Sequence, residues 1–92
     1  MNWQILESSD VIKILKKLKP NVKRKYEFWK DMLFEEGPMG VRGWKGFKDE
    51  SLKGKYTGYR SSRLNIQYRV IYKINKCEIK VYVEKIDSHK YR

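Results

Sequence analysis

Cysteine, histidine and proline are scarce in this 92-residue chain, which contains one cysteine, one histidine and two prolines. Its single cysteine, Cys77, cannot form an internal disulfide or a zinc site made of several thiolates. Its single histidine, His89, provides no pair of imidazoles for a two-histidine metal site, and no HExxH motif or glycine-rich nucleotide loop is present. These absences favour a reducing compartment, and we expect chemistry without a metal or other cofactor.

Long apolar runs are also absent. Nowhere do about 18 apolar residues follow one another, and the start of the chain lacks the basic and apolar segments of a secretory signal. We therefore expect a cytoplasmic protein with no membrane partner. The length is below the usual size of a domain, which predicts one domain over residues 1–92.

Acidic residues are outnumbered two to one, with 11 Asp and Glu against 22 Lys and Arg, so the formal net charge is +11. Residues 37–92 hold fourteen basic and five acidic residues and carry most of the excess. Because 40% of the residues are hydrophobic and 14% aromatic, the chain can form a compact core and is not expected to be disordered. A field of this sign favours a polyanionic partner.

The first part of the sequence predicts a short strand followed by a helical hairpin. Residues 3–6 are typical of a strand, and Ser8 to Asp10 provide N-cap oxygens for a helix. Pro20 then separates two runs with helical spacing, and Gly37-Pro38 ends the second run. The apolar residues of these runs are Val11, Ile14, Leu15 and Leu18 in the first, and Val22, Tyr26, Trp29 and Leu33 in the second.

After residue 58 the apolar period changes to 2, which predicts a three-stranded antiparallel meander. We expect strands at 58–64, 66–74 and 79–84, with a turn near Asn65 and a two-residue hairpin at Asn75-Lys76. All six glycines lie between residues 37 and 58, indicating a long irregular connection. The predicted fold is α+β, with the helices on one sheet face and Arg63, Arg69, Lys73 and Lys80 on the other.

Basic and aromatic residues are interleaved between residues 40 and 63. Cations can hold phosphates while aromatic rings stack on unpaired bases, a combination suited to single-stranded RNA. A solvated surface above core aromatics would show the same composition. The residues that we expect to contact RNA are Lys48, Lys53, Lys55, Arg60 and Lys73.

RNA supplies its own nucleophile, the 2′-hydroxyl. Cleavage therefore needs only a base for that proton, cations for the phosphorane and an acid for the 5′-oxygen. Glu50, the arginines and His89 would suffice, although each has an ordinary alternative. Glu50 could be a surface carboxylate, His89 a solvated tail residue, and Arg69 could pair with a glutamate, Glu78 or Glu84, across the hairpin.

Residues 48–72, with the sequence KDESLKGKYTGYRSSRLNIQYRVIY, carry a more specific signal. They resemble, without a gap, the stretch of RelE-superfamily toxins that contains E-x-L-K, G-x-x-S-x-R and x-R-[LV]-[IV]-Y. The YoeB branch is the most similar. The resemblance is clear over residues 48–74 and extends loosely over the chain through the order of strand, helices and meander.

This resemblance implies a RelE-like fold and a ribosome-dependent endoribonuclease, or mRNA interferase, of a toxin–antitoxin system. Such a protein cuts mRNA in the decoding site of the 70S ribosome and is neutralised by a cognate antitoxin. By position, Glu50 would be the general base, Arg69 and Arg63 would stabilise the phosphorane, and Lys53 would contact phosphate.

The tail matches the family less closely. His89 would protonate the 5′-oxygen, and Tyr91 would orient or stack on a base. In the YoeB branch the histidine and tyrosine are adjacent at the chain end, whereas Lys90 separates them here and Arg92 follows. In an extended tail the extra residue would turn Tyr91 to the opposite side.

Two other functions are compatible with the sequence. A ParE-type relative would keep the fold but inhibit DNA gyrase without cleaving RNA. A plain RNA-binding module would need only the positive net charge. Glu50, Arg69 and His89 together favour the nuclease.

Overall fold

The computed structural model describes residues 2–88. Within this range, three α-helices pack against a five-stranded sheet. The helices are α1 (Ser9–Leu15), α2 (Pro20–Glu36) and α3 (Pro38–Gly43). The strands are β1 (Gln4–Glu7), β2 (Glu50–Ser51), β3 (Arg60–Arg63), β4 (Tyr68–Asn75) and β5 (Lys80–Ser88), in the spatial order β1-β5-β4-β3-β2. The predicted α+β fold is confirmed.

The N-terminal strand and the cap of the first helix form as predicted. Strand β1 runs parallel to β5, and the Ser8 hydroxyl accepts a hydrogen bond from the Val11 N–H at 3.2 Å. Helix α1 ends at Leu15, before the apolar stripe does, although Leu18 is still buried. Lys19 is already extended because the following Pro20 disfavours helical backbone there.

Helix α2 provides most of the helical side of the core. Its predicted stripe of Val22, Tyr26, Trp29 and Leu33 is buried. Gly37 ends the helix at a φ of 75°, and a Cβ there would lie 2.5 Å from Nε1 of Trp3, so glycine is required. Within the described residues no helix is both long and apolar enough to cross a lipid bilayer.

The glycine-containing connection is more ordered than predicted. It includes α3, two single-turn 3₁₀ helices (Lys45–Phe47 and Gly54–Tyr56) and strand β2, which pairs antiparallel with β3 at the sheet edge. Val41 of α3 and Phe47 are fully buried. This segment therefore covers one end of the core while it brings Glu50 to the sheet.

The meander of β3, β4 and β5 is confirmed, with two corrections. The β4–β5 connection has four residues rather than two, and the Asn75 side-chain carbonyl accepts the Glu78 N–H at 3.1 Å within it. A β-bulge also interrupts the pairing: Tyr72 lies opposite Val83, but Ile71 lies opposite Lys85. The extra residue, Glu84, reverses the inside–outside alternation for the rest of β5.

Candidate active site

The sheet face opposite the helices, called the open face here, carries most of the predicted site residues. Paired residues in neighbouring strands point to the same face. Val70 and Tyr72 of β4 belong to the core, so their neighbours Arg69, Ile71 and Lys73 point the other way. The ladder pairs on the open face are Glu50 with Ser61, Ser61 with Ile71, Arg63 with Arg69, and Arg69 with Asp87. The predicted open-face position of Arg63, Arg69 and Lys73 is confirmed.

A pocket of about 210 Å³ lies at one end of the open face. Glu50, Arg63 and Arg69, three of the predicted catalytic residues, line it together with Lys48. Ser61 and residues 65–68 of the β3–β4 turn form the remaining wall. One carboxylate and three cationic side chains therefore border a single cleft.

The two arginines are direct cross-strand partners in the β3–β4 ladder. Like charges in this position repel each other unless an anion lies between them. Arg69 is half-buried, its Nη2 lies 3.4 Å from Oδ2 of Asp87, and its buried Nε has no hydrogen-bond partner among residues 2–88. The predicted alternative partners, Glu78 and Glu84, are wrong: the carboxylate beside Arg69 is Asp87. This arrangement suits an anionic group such as a phosphate.

Asp49 anchors the strand that carries Glu50. Its side chain is fully buried on the helix side and accepts hydrogen bonds from Arg60 Nε and Ser62 Oγ, each at 2.6 Å, and from the Tyr72 hydroxyl. Burial and the bond to Asp49 raise the pKa of Tyr72 well above its usual value. Burial alone would lower the pKa of Arg60, but the hydrogen bond and charge of Asp49 raise it. This network fixes β2 and presents Glu50 to the open face.

The β3–β4 turn sets the spacing of the two arginines. The Asn65 side-chain oxygen accepts the backbone N–H groups of Gln67 at 2.9 Å and Tyr68 at 2.7 Å. Such an Asx-type turn replaces backbone pairing where the chain reverses. Arg63 immediately precedes the turn and Arg69 follows it in register. The predicted turn near Asn65 is therefore confirmed.

The other predicted RNA-binding residues lie outside the pocket. Lys53 and Lys55 are exposed between β2 and β3, and Lys73 lies on the open face with Nζ 5.8 Å from the centre of the Tyr59 ring. Arg60 lies on the helix side, and its guanidinium is paired with Asp49. His89 and Tyr91 lie outside the described residues.

Sequence reasoning missed a polar chain next to the pocket. Lys85 Nζ lies 3.6 Å from Oδ1 of Asp87 and 3.4 Å from the Tyr56 hydroxyl, and Asp87 continues the chain to Arg69. The hydrogen bond to Tyr56, followed by the charge of Asp87, raises the pKa of Lys85 above its usual value. A strict alternation along β5 would not place Lys85 and Asp87 on the open face, so the sequence alone does not predict these polar contacts. The bulge moves both residues there.

No protein-family model matches this chain, and no curated protein does. Several solved structures are similar. One is an archaeal RelE–RelB complex from Pyrococcus horikoshii OT3, with a TM-score of 0.80 and 24% identity over 100% of both chains. A YoeB–YefM complex from Staphylococcus aureus has a TM-score of 0.75 and 19% identity over 98% of this chain and 100% of that one. YafQ from E. coli strain BL21(DE3) has a TM-score of 0.74 and 19% identity over 94% and 92%. The chain thus has the fold of the RelE-like toxins, as the sequence resemblance implied.

Proposed function

We propose that this protein is the toxin of a toxin–antitoxin pair and acts as a ribosome-dependent mRNA interferase. The observation that carries the proposal is the pocket on the open face, which gathers Glu50, Arg63 and Arg69. The similar structures include a RelE–RelB complex and a YoeB–YefM complex, which supports a cognate antitoxin as a partner. The proposed substrate is mRNA bound in the 70S ribosome.

In the proposed reaction the 2′-hydroxyl of the mRNA attacks the neighbouring phosphorus. Glu50 takes the proton of that hydroxyl as the O2′–P bond forms. Its carboxylate is exposed on β2 and lines the pocket, where a ribose could reach it. Breaking the P–O5′ bond leaves a 2′,3′-cyclic phosphate on one product and a 5′-hydroxyl on the other.

Arg63 and Arg69 would stabilise the phosphorane. Because they are cross-strand partners on one face, a phosphate between them would replace their mutual repulsion by two charge-assisted contacts. Electrostatic stabilisation of this kind is commonly a large part of catalysis. We assign protonation of the 5′-oxygen to His89 and orientation or stacking of a base to Tyr91, as the family resemblance implies.

The remaining lysines would hold the RNA backbone. Lys48 borders the pocket, Lys53 and Lys55 extend from the adjacent loop, and Lys73 lies farther along the open face. Phosphate contacts of this kind position a nucleic acid without reading its sequence. Arg60 points to the other side of the sheet, so we assign it to the support of β2 through Asp49 rather than to RNA contact.

A purified translation system tests this proposal. Ribosomes programmed with a defined mRNA are exposed to the protein, and primer extension locates any new 5′ end. We expect cleavage that depends on ribosomes and leaves a 2′,3′-cyclic phosphate. An intact message would refute the proposal. Inhibition of gyrase supercoiling with intact mRNA would instead support the ParE-type function, and RNA binding with neither effect would leave a binding module.

A further inference from the structure

Asp87 occupies an unusual position between two cationic side chains on the open face. One carboxylate oxygen, Oδ2, lies 3.4 Å from Arg69 Nη2, and the other, Oδ1, lies 3.6 Å from Lys85 Nζ. Lys85 in turn lies 3.4 Å from the Tyr56 hydroxyl. Asp87 is absent from the pocket lining, so it contacts the pocket through Arg69.

Arg69 needs a carboxylate partner on its β5 side. Its cross-strand neighbour is Arg63, another cation, and Asp87 is the carboxylate paired with it within residues 2–88. Without an anion on the β5 side, repulsion would drive the Arg69 guanidinium away from Arg63. Lys85 pairs with the other oxygen of Asp87, so the carboxylate lies between two cations on the β5 side.

The contact between Arg69 and Asp87 is weak enough to leave Arg69 available to a phosphate, as a positioning role requires. The 3.4 Å separation is long for a charge-assisted hydrogen bond, which is usually below about 3 Å. Both side chains are about one-third exposed, so solvent further weakens the pair. A phosphate with shorter contacts can therefore engage Arg69 while Asp87 continues to orient it.

The β-bulge in β5 is what places Asp87 there. With regular alternation from Val83, residues 85 and 87 would point toward the helices. The extra residue Glu84 turns both to the open face and puts Ile86 into the core. Bulges commonly redirect a side chain next to a functional site.

We infer that Asp87 is a positioning residue that holds the Arg69 guanidinium toward the reacting phosphate. This inference rests on the proposed function. Asp87 itself donates and accepts no proton in the reaction. Its removal is expected to affect the chemical step through Arg69, with no loss of docking.

Asp87→Asn tests the inference in the ribosome assay. We expect kcat to fall roughly 10- to 100-fold, because a displaced guanidinium contacts the phosphorane poorly. KM should stay the same or fall, since the variant carries one more positive charge. Asp87→Glu should recover part of kcat. Asp31→Asn makes the same substitution at an exposed position of α2 and should retain wild-type kcat.

Two results would overturn the inference. A kcat within twofold of wild type would show that Asp87 does not orient Arg69. A higher kcat combined with a lower KM would show that Asp87 competes with the substrate instead. The Arg69→Ala background supplies a further comparison: Asp87→Asn should have no additional effect on kcat there, and an undiminished effect would contradict action through Arg69.

A measurement without RNA separates this inference from the proposed function. In the wild-type protein the buried Arg69 Nε–H should give a slowly exchanging NMR signal. Asp87→Asn should broaden it or speed its exchange, while Asp31→Asn should not. If the wild-type protein leaves mRNA intact but these spectra differ as expected, the proposed function fails and the Arg69–Asp87 coupling stands. Unchanged spectra in Asp87→Asn would contradict the coupling.

Discussion

Two adjacent carboxylates, Asp49 and Glu50, have opposite environments and opposite tasks. Asp49 is fully buried and accepts three hydrogen bonds from side chains on β3 and β4, whereas Glu50 is exposed and lines the pocket. The alternation of an extended chain produces this difference within one step of sequence. The buried residue therefore fixes the position of the exposed one.

Asp49→Asn should destabilise the fold by about 3 kcal/mol. The substitution leaves the Arg60 guanidinium without its charged partner and places an amide N–H₂ among hydrogen-bond donors. Urea unfolding followed by fluorescence measures the change. Asp31→Asn, at an exposed position on α2, is the matched control and should change stability by less than about 0.5 kcal/mol. Equal effects for the two variants would remove Asp49 from its anchoring role.

Individual site residues differed in how readily the sequence revealed them. Arg63 and Arg69 were predictable as neighbours on one sheet face because both follow a strand period of 2. A gapless motif pointed to Glu50, but its place beside the arginines depends on strand β2, which the sequence did not predict. Asp87 was not predictable, because its side depends on a bulge that leaves no local sequence signal. Arg60 does not differ in sequence from the neighbouring basic residues, and its pairing with the buried Asp49 carboxylate is a feature of the folded chain alone.

At the scale of elements, two buried tyrosines each link separate elements through a hydrogen bond to a carboxylate. The Tyr26 hydroxyl of α2 donates to Glu7 of β1 at 2.5 Å, and Tyr72 of β4 donates to Asp49 next to β2. For both tyrosines burial is the main reason that the pKa is raised, followed by the bond to the carboxylate. The folded state therefore resists ionisation of these two groups.

The sign of the resulting pH dependence follows from proton binding. In the unfolded chain a tyrosine ionises near pH 10, while the folded protein keeps both protons. This stabilisation is therefore fully present below pH 10. Above it, stability should fall by about 1.4 kcal/mol per pH unit for each tyrosine.

Urea unfolding between pH 8 and 11 measures this slope. Tyr26→Phe and Tyr72→Phe should each make the decrease above pH 10 shallower than in wild type. Tyr82→Phe, at an exposed position, should leave it unchanged. Parallel slopes in all four proteins would contradict the assigned burial.

The longest elements were the easiest to predict. Helix α2, with 17 residues, shows several repeats of the apolar period, and β4, with eight, shows a full alternation. Strand β2 has two residues and α3 has six, too few for a period to be visible. Their positions depend instead on burial of Val41 and Phe47 and on the Asp49 network.

At the scale of the whole molecule, the sheet order joins distant parts of the chain. Strand β1 pairs in parallel with β5, although about 70 residues separate them. Local periodicity contains no information on such a pairing. The sequence therefore predicted the meander of β3, β4 and β5, but neither the place of β1 beside β5 nor the short strand β2 at the opposite edge. The same arrangement leaves the helices on one side and the pocket exposed on the other.

The charge distribution agrees with a pocket exposed on the side of the sheet opposite the helices. Residues 37–92 carry most of the net charge of +11, and they include the strands and loops around the pocket. A positive field of this extent concentrates a polyanion near the surface before specific contacts form. The molecule therefore combines a general attraction for polyanions with one local cluster suited to a phosphate.

Single-turnover cleavage of ribosome-bound mRNA by Arg69→Ala, compared with Arg24→Ala on the exposed side of α2, tests the central claim most directly. Both variants lose one positive charge, but only Arg69 lines the pocket. We expect Arg69→Ala to lower the cleavage rate roughly 100-fold or more, with ribosome binding nearly unchanged, while Arg24→Ala cleaves like wild type. Equal losses of cleavage and binding in Arg69→Ala, or equal rates for the two variants, would contradict the claim.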